Sequence, residues 1–161
     1  MRDKIRQSQE NIQVMDAEKN RKLSVINDII GTIELAVSTD DLLSKSCELI
    51  RQAYYDPQEI RVRIIYDNKQ FLSEGFEETN WLERQTFINP DKTQGAIEVF
   101  YSTRYIELVS KDFLFKDPEF LKKIGILISG AISKDSLAHL VQYRHRQIFQ
   151  QHLIAFYHHR L

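Results

Sequence analysis

Arg61-Val62-Arg63-Ile64-Ile65-Tyr66, near the middle of the chain, is typical of a β-strand that is buried on one side. Every second side chain, at Val62, Ile64 and Tyr66, would face the same side of a sheet. The residues that follow, 67–69, have the composition of a tight turn into a second strand near 70–73. Because a turn this short joins antiparallel neighbours, the stretch predicts the start of an antiparallel sheet.

A second pair of strands is predicted further along the chain. One covers about 83–88, and Asn89-Pro90-Asp91-Lys92 forms a turn into the other, Gly95–Tyr101. In that last strand Ile97, Val99 and Tyr101 share a face. The sheet is therefore expected to contain four or more strands.

Predicted helices flank these strands. Ser38-Thr39-Asp40-Asp41 ends one helix and begins another that runs to about Tyr54. Asp117-Pro118-Glu119 is a strong helix start, and no later proline interrupts a helix that could reach the end of the chain. We predict the α+β fold class, with the helices gathered on one side of an antiparallel sheet.

Composition excludes several classes of protein. The chain has 161 residues, 42% hydrophobic and 28% charged, which is ordinary for one soluble domain. It shows neither a membrane span nor a signal peptide, which predicts a cytoplasmic protein. Cys47 is the single cysteine, so an internal disulfide and a cysteine-based zinc site are excluded. The five glycines form no phosphate-binding loop, and the net charge of -1 predicts no affinity for nucleic acid.

Residues 1–22 are predicted to form a separate coiled-coil-type helix. Their sparse apolar residues fit a heptad whose two core positions continue to residue 36. The first position is occupied by Ile5, Ile12, Lys19, Ile26 and Ile33, and the second by Ser8, Met15, Lys22, Ile29 and Ala36. The pattern favours pairing with a second chain, and a solvated helical arm is the alternative.

Residues 136–161 are predicted to form a basic helical extension. They contain three arginines and all five histidines of the chain but no acidic residue. His145, His152 and His159 recur every seven residues, so two paired chains could bind a metal ion or form a pH-sensitive contact through them. Partly exposed flank positions are the alternative.

The body between these extensions, residues 23–135, contains four features of a known pattern: Pro57, Arg63-Ile64, Phe71-x4-Phe76-x-Glu78-Thr79-x-Trp81, and Gly95-x-Ile97-Glu98-Val99-x-Tyr101. Through these features the body resembles a GAF-type sensor domain of bacterial two-component histidine kinases and related regulators. The resemblance implies a sheet of five or six antiparallel strands with the terminal helices on one face. It also implies a ligand cavity on the other face and a homodimer built by those helices.

Six residues are the candidates for a small-molecule pocket: Tyr66, Phe71, Phe76, Trp81, Val99 and Tyr101. The simpler interpretation of the aromatic ones is that they are core and lid residues. Arg63 and Glu98 point away from the apolar strand faces, which predicts a cross-strand ion pair or, alternatively, a ligand contact. Cys47 lies on the apolar face of its helix, as a small buried residue rather than a reactive thiol. The sequence does not identify a cofactor.

The end of the chain, Leu153 to Leu161, resembles the start of the phosphoacceptor box of one histidine-kinase branch, with His158 as the candidate phosphoacceptor. The ATP-binding domain that this chemistry needs is absent here, so the chain alone is not expected to be an enzyme. We predict a dimeric sensory or signal-relay module joined to an output domain, a histidine kinase, with a response regulator or kinase domain as partner. The alternative is a stand-alone interaction protein whose basic C-terminal helix binds an acidic partner.

Overall fold

The computed structural model describes residues 2–109 and 118–134. The helices are α1 (Arg2–Leu35), α2 (Thr39–Arg51), a 3-10 turn (Pro57–Glu59) and α3 (Thr103–Leu108). A further helix, α4, covers 119–134. The strands are β1 (Ile60–Tyr66), β2 (Lys69–Leu72), β3 (Trp81–Ile88) and β4 (Gln94–Tyr101).

The four strands form one antiparallel sheet in the order β2-β1-β4-β3. Two hairpins, β1–β2 and β3–β4, meet along β1 and β4. In the first hairpin both turn residues, Asp67 and Asn68, have positive φ, as the right-handed twist of a two-residue hairpin requires. The predicted α+β class and the predicted turns are confirmed. The described residues contain four strands, fewer than the five or six that the resemblance implies.

One face of the sheet packs against α1, α2 and α4. The alternating residues Val62, Ile64, Ile97 and Val99 are fully buried there, as the strand pattern predicts. The helices contribute Val25 and Ile29 from α1, Leu43, Cys47 and Ile50 from α2, and Phe120, Leu121, Ile124, Ile128 and Ile132 from α4. The core therefore lies between the sheet and a single layer of helices, which confirms the predicted arrangement.

The predicted break between the first two helices is also confirmed. Ser38 has an extended backbone, and its hydroxyl accepts a hydrogen bond from the Asp41 N–H at 3.1 Å. The end of α2 differs from the prediction, because α2 ends at Arg51 rather than near Tyr54. The chain leaves the helix there so that Tyr54 can enter the core, where its ring packs edge-on against Tyr101 and Phe120.

The predictions for residues 136–161, including the repeating histidines, the continuation of the last helix and His158, lie outside the described residues. Among the residues described, no helix is long and apolar enough to cross a membrane.

Candidate functional site

The six residues predicted to line a pocket do not come together. Tyr66, Phe71, Trp81, Val99 and Tyr101 lie on the face of the sheet that the helices cover. Phe76 lies on the other face, where its ring packs edge-on against Phe100 at 5.4 Å. Because the sheet separates Phe76 from the other five, a single cavity cannot be lined by all six. Val99 and Tyr101 have no exposed surface and are core residues.

The open face of the sheet is organised around Arg63. Its Nε donates to Glu98 on the neighbouring strand at 2.7 Å, which confirms the predicted cross-strand ion pair. A second nitrogen, Nη1, bonds Glu78 at 2.7 Å, and the guanidinium lies over the rings of Phe76 and Phe100. The hydrogen bond to Glu98 is the main reason that the pKa of Arg63 is raised. The contacts of Arg63 with Phe76 and Glu78 hold the loop after β2 against the sheet.

Arg61, two residues before Arg63 on β1 and on the same face of the sheet, also bonds this loop. Its Nε donates to the carbonyl oxygen of Gly75 at 2.8 Å, and its Nη1 donates to that of Gln58 at 2.7 Å. Ser73, at the start of the loop, accepts the Val62 N–H at 2.9 Å. Both arginine side chains are therefore bonded to the protein's own carbonyl and carboxylate groups. On the face of the sheet that the helices do not cover, they stabilise the packing of the loop after β2.

A second polar cluster lies inside the molecule, where α1 meets the body. Glu18 is only 6% exposed. It accepts hydrogen bonds from the Tyr55 N–H, at 3.0 Å, and from the Tyr105 hydroxyl. The ammonium of Lys22, one turn later, lies 4.0 Å from the second carboxylate oxygen. A buried carboxylate needs such partners, because an unpaired one would be expensive to desolvate.

Two neighbouring side chains of α1 complete this cluster. Arg21 donates from Nη1 to the carbonyl oxygens of Tyr54, at 2.8 Å, and Tyr55, at 3.0 Å. Lys22 lies over the rings of Tyr54 and Phe120, at 5.7 and 5.6 Å from their centres. We call Glu18, Arg21 and Lys22 the α1 anchor. Within about one helical turn it joins α1 to the segment after α2, to α3 and to α4.

Three tyrosines surround the α1 anchor. Tyr101 stacks on Tyr105 at 5.5 Å between ring centres and meets Tyr54 edge-on at 5.7 Å. The Tyr101 hydroxyl donates to Glu83 on β3. Burial is the main cause that raises the pKa of all three phenols, and nearby carboxylates, Glu83 for Tyr54 and Tyr101 and Glu18 for Tyr105, raise it further. The phenols of Tyr101 and Tyr105 thus stay protonated well above neutral pH and keep donating to Glu83 and Glu18.

Sequence reasoning missed the α1 anchor. Glu18 and Lys22 stand in a strongly charged segment, where a solvated helix face is the ordinary expectation. Tyr105 lies 87 residues from Glu18 along the chain, so no local pattern joins them. The predicted boundary between extension and body is residue 22, yet Glu18 and Arg21 already bond the body.

The predicted burial of Cys47 is confirmed. Its side chain has no exposed surface, and Sγ donates to the carbonyl oxygen of Phe71 at 3.3 Å. Burial raises the pKa of the thiol to about 12. A thiol with this pKa is almost wholly protonated at neutral pH and therefore a poor nucleophile.

Two surface cavities adjoin α4. One, of about 320 Å³, lies between the end of α1 and the start of α2, with Ile33, Thr39 and Ala131 in its lining. The other, of about 380 Å³, lies between β3 and α4, beside Ile88 and Ile126. Neither is lined by a residue of the predicted pocket. Within the described ranges, no group of three or more histidine, cysteine or acidic residues could bind a metal ion.

Comparison with models of known protein families and with curated proteins found no match for this chain.

Proposed function

We propose that this protein is a sensory or signal-relay domain of GAF type, which dimerises through its terminal helices and passes an input to an output domain. The input is a small molecule or a conformational change, and the output domain is a histidine kinase. The observation that carries the proposal is the continuity of α1, a single helix of 34 residues. Its first half, residues 2–17, carries no described bond to the body, and its second half, from Glu18 onward, bonds the body and contributes to the core.

The first half of α1 has the character of a pairing surface. Ile5 and Ile12 are 57% and 56% exposed on a segment whose other described side chains are mostly polar. Covering such side chains with a second helix removes apolar surface from water, which is the main favourable term in helix association. This supports a dimer in which α1 contacts the same helix of another chain.

The second half of α1 couples that dimer to the body. Helices transmit displacement because their backbone hydrogen bonds make them stiff over many turns. A rotation or slide of α1 would break the contacts of the α1 anchor, which end on Tyr54, Tyr55, Tyr105 and Phe120. Two packings of α1 on the body would then be two states, and an input would act by shifting their populations.

The test separates dimerisation from relay. Sedimentation of the unmodified chain at micromolar concentration should report a dimer. Ile12→Asp should dissociate it and speed hydrogen exchange at the Tyr55 amide, which donates to Glu18. Gln13→Asp places the same charge on an exposed neighbouring position and should change neither property. A monomeric unmodified chain would contradict dimerisation, and dissociation without faster exchange at Tyr55 would contradict relay.

The output domain has an independent test in the reading frame beyond Leu161. A nucleotide-binding domain encoded there would support a histidine kinase and His158 as its phosphoacceptor. A stop codon directly after Leu161 would contradict both, while leaving the relay proposal to the experiment above.

A further inference from the structure

Among its described side chains, α1 exposes five large apolar ones. Leu35 is the last residue of the helix, and the other four are spread along it. Ile5, Ile12, Leu23 and Ile30 are 57%, 56%, 54% and 40% exposed. The first two precede the α1 anchor, whereas the last two lie on the part of α1 that packs on the body. Exposed apolar residues scattered singly are common, so their arrangement is what decides whether they form a surface.

Their spacing places them on one line. Ile5, Ile12, Leu23 and Ile30 follow one another at steps of 7, 11 and 7 residues. At about 100° per residue these four positions fall within roughly 20° of one another around the helix. They form a straight apolar stripe about 38 Å long. We call these four residues the outer stripe.

The outer stripe shares Ile5 and Ile12 with the seam that the heptad pattern predicts, but the two sets of residues differ after Ile12. Beyond residue 22 the predicted seam continues through Ile26, Ile29 and Ile33. Ile29 is fully buried in the domain's own core, and Ile26 and Ile33 pack against that core. The body therefore covers the predicted seam there. The outer stripe lies about 110° around the helix from Ile29, on a flank of α1 that the body leaves exposed.

We propose that the outer stripe is the surface along which α1 packs against α1 of a second copy of this chain, in parallel and nearly straight. This inference rests on the proposed dimerisation and specifies its interface. A heptad repeat winds two helices around each other because seven residues fall short of two full turns. The 18-residue step from Ile5 to Leu23 and from Ile12 to Ile30 equals five turns of about 3.6 residues, so the stripe needs no supercoil.

Charges within the stripe favour the parallel orientation. The 11-residue gap between Ile12 and Leu23 contains Asp16 and Lys19, both exposed and on opposite sides of the line of the stripe. In a parallel pair related by a two-fold axis, Asp16 of each helix lies on the same side as Lys19 of the other helix. Two pairs of opposite charges are therefore formed across the interface. In an antiparallel pair centred on the gap, each aspartate would approach the other aspartate and each lysine the other lysine.

Disulfide cross-linking tests the orientation directly. Ile12→Cys and Leu23→Cys place one thiol each on the stripe, and Gln7→Cys and Asp28→Cys are matched controls on other exposed sides of α1. The native Cys47 does not compete, because it is buried and its thiol pKa is about 12. Under mild oxidation, each stripe variant should form a covalent dimer with itself at least about tenfold faster than the controls, since Cα atoms within about 7 Å can be bridged.

Each other outcome contradicts the inference. An antiparallel pair would separate equal positions by about 16 Å along the axis, so only a mixture of the two stripe variants would cross-link. Cross-linking at Ile12→Cys but not at Leu23→Cys would mean that the helices diverge at the body. A dimer in sedimentation without stripe cross-links would refute this interface and leave the proposed function intact, whereas a monomer would refute both.

Discussion

Gly95 is the position where adding one methyl group is expected to matter most. A Cβ there would lie 2.2 to 2.7 Å from three ring atoms of Phe87, its partner across the sheet. The Phe87 ring also stacks on Tyr66, at 6.3 Å between centres, so it cannot move away freely. We expect Gly95→Ala to lower the free energy of unfolding by about 1–3 kcal/mol, measured by urea denaturation.

Gly130 provides the matched control for this prediction. It lies in α4, and a Cβ there would meet no atom within 4 Å. Gly130→Ala should therefore keep or raise the free energy of unfolding, by up to about 1 kcal/mol, because alanine favours a helix. Equal stability of the Gly95→Ala and Gly130→Ala variants would show that the Phe87 ring does not cover Gly95.

At the scale of elements, the α1 anchor decides how α1 sits on the body. Glu18→Leu would leave the Tyr55 N–H and the Tyr105 hydroxyl without their acceptor, and we expect a loss of about 2–4 kcal/mol in the free energy of unfolding. Glu18→Gln keeps one carbonyl oxygen and should cost less. Adding Tyr105→Phe to Glu18→Leu should cost little more, because the bond is already lost.

Glu10 provides the comparison on the same helix. It is exposed and forms a surface pair with Arg6 at 3.5 Å. Exposed pairs of this kind contribute about 0–1 kcal/mol, so Glu10→Leu should change stability far less than Glu18→Leu. Similar losses for the two variants in urea denaturation would mean that Glu18 does not anchor α1.

The elements themselves could largely be predicted from local patterns. Strand alternation located β1 and β4 and the faces they bury, and Ser38 marked the break between α1 and α2. Element ends were less accurate. β3 begins at Trp81, two residues before its predicted start, and α2 ends three residues early because tertiary packing draws Tyr54 into the core. Local propensity contains no term for such packing.

For the molecule as a whole, the buried thiol of Cys47 and the buried phenols of three tyrosines make the free energy of unfolding sensitive to alkaline pH. The pKa of Cys47 is raised to about 12, and those of Tyr54, Tyr101 and Tyr105 are raised by burial. Unfolding would let these groups ionise near their ordinary values, about 8.5 for cysteine and about 10 for tyrosine. Their contribution to stability is therefore fully present below about pH 8.5 and is lost as the pH rises towards the folded values.

Two measurements check this prediction. The midpoint of urea denaturation should fall steadily above about pH 9. In an absorbance titration at high pH, Tyr54, Tyr101 and Tyr105 should not ionise near the ordinary pKa of a tyrosine, about 10, until the protein unfolds. Tyr105→Phe removes one of the raised groups and should make the loss shallower. Ionisation of Tyr54, Tyr101 and Tyr105 near pH 10 in the folded protein would contradict the prediction.

The sequence by itself determined the α+β class, the hairpin turns, the buried strand faces and the Arg63–Glu98 pair, because each depends on residues within one strand or on adjacent strands. The tertiary structure alone decided that the pocket candidates lie on two faces, that Glu18 is buried, and that the body leaves the outer stripe exposed. These outcomes depend on which side of α1 meets the sheet, and that is set by contacts such as Glu18 with Tyr105, 87 residues apart. A helical period shows which residues share a face, but only packing against the rest of the chain shows which face is covered.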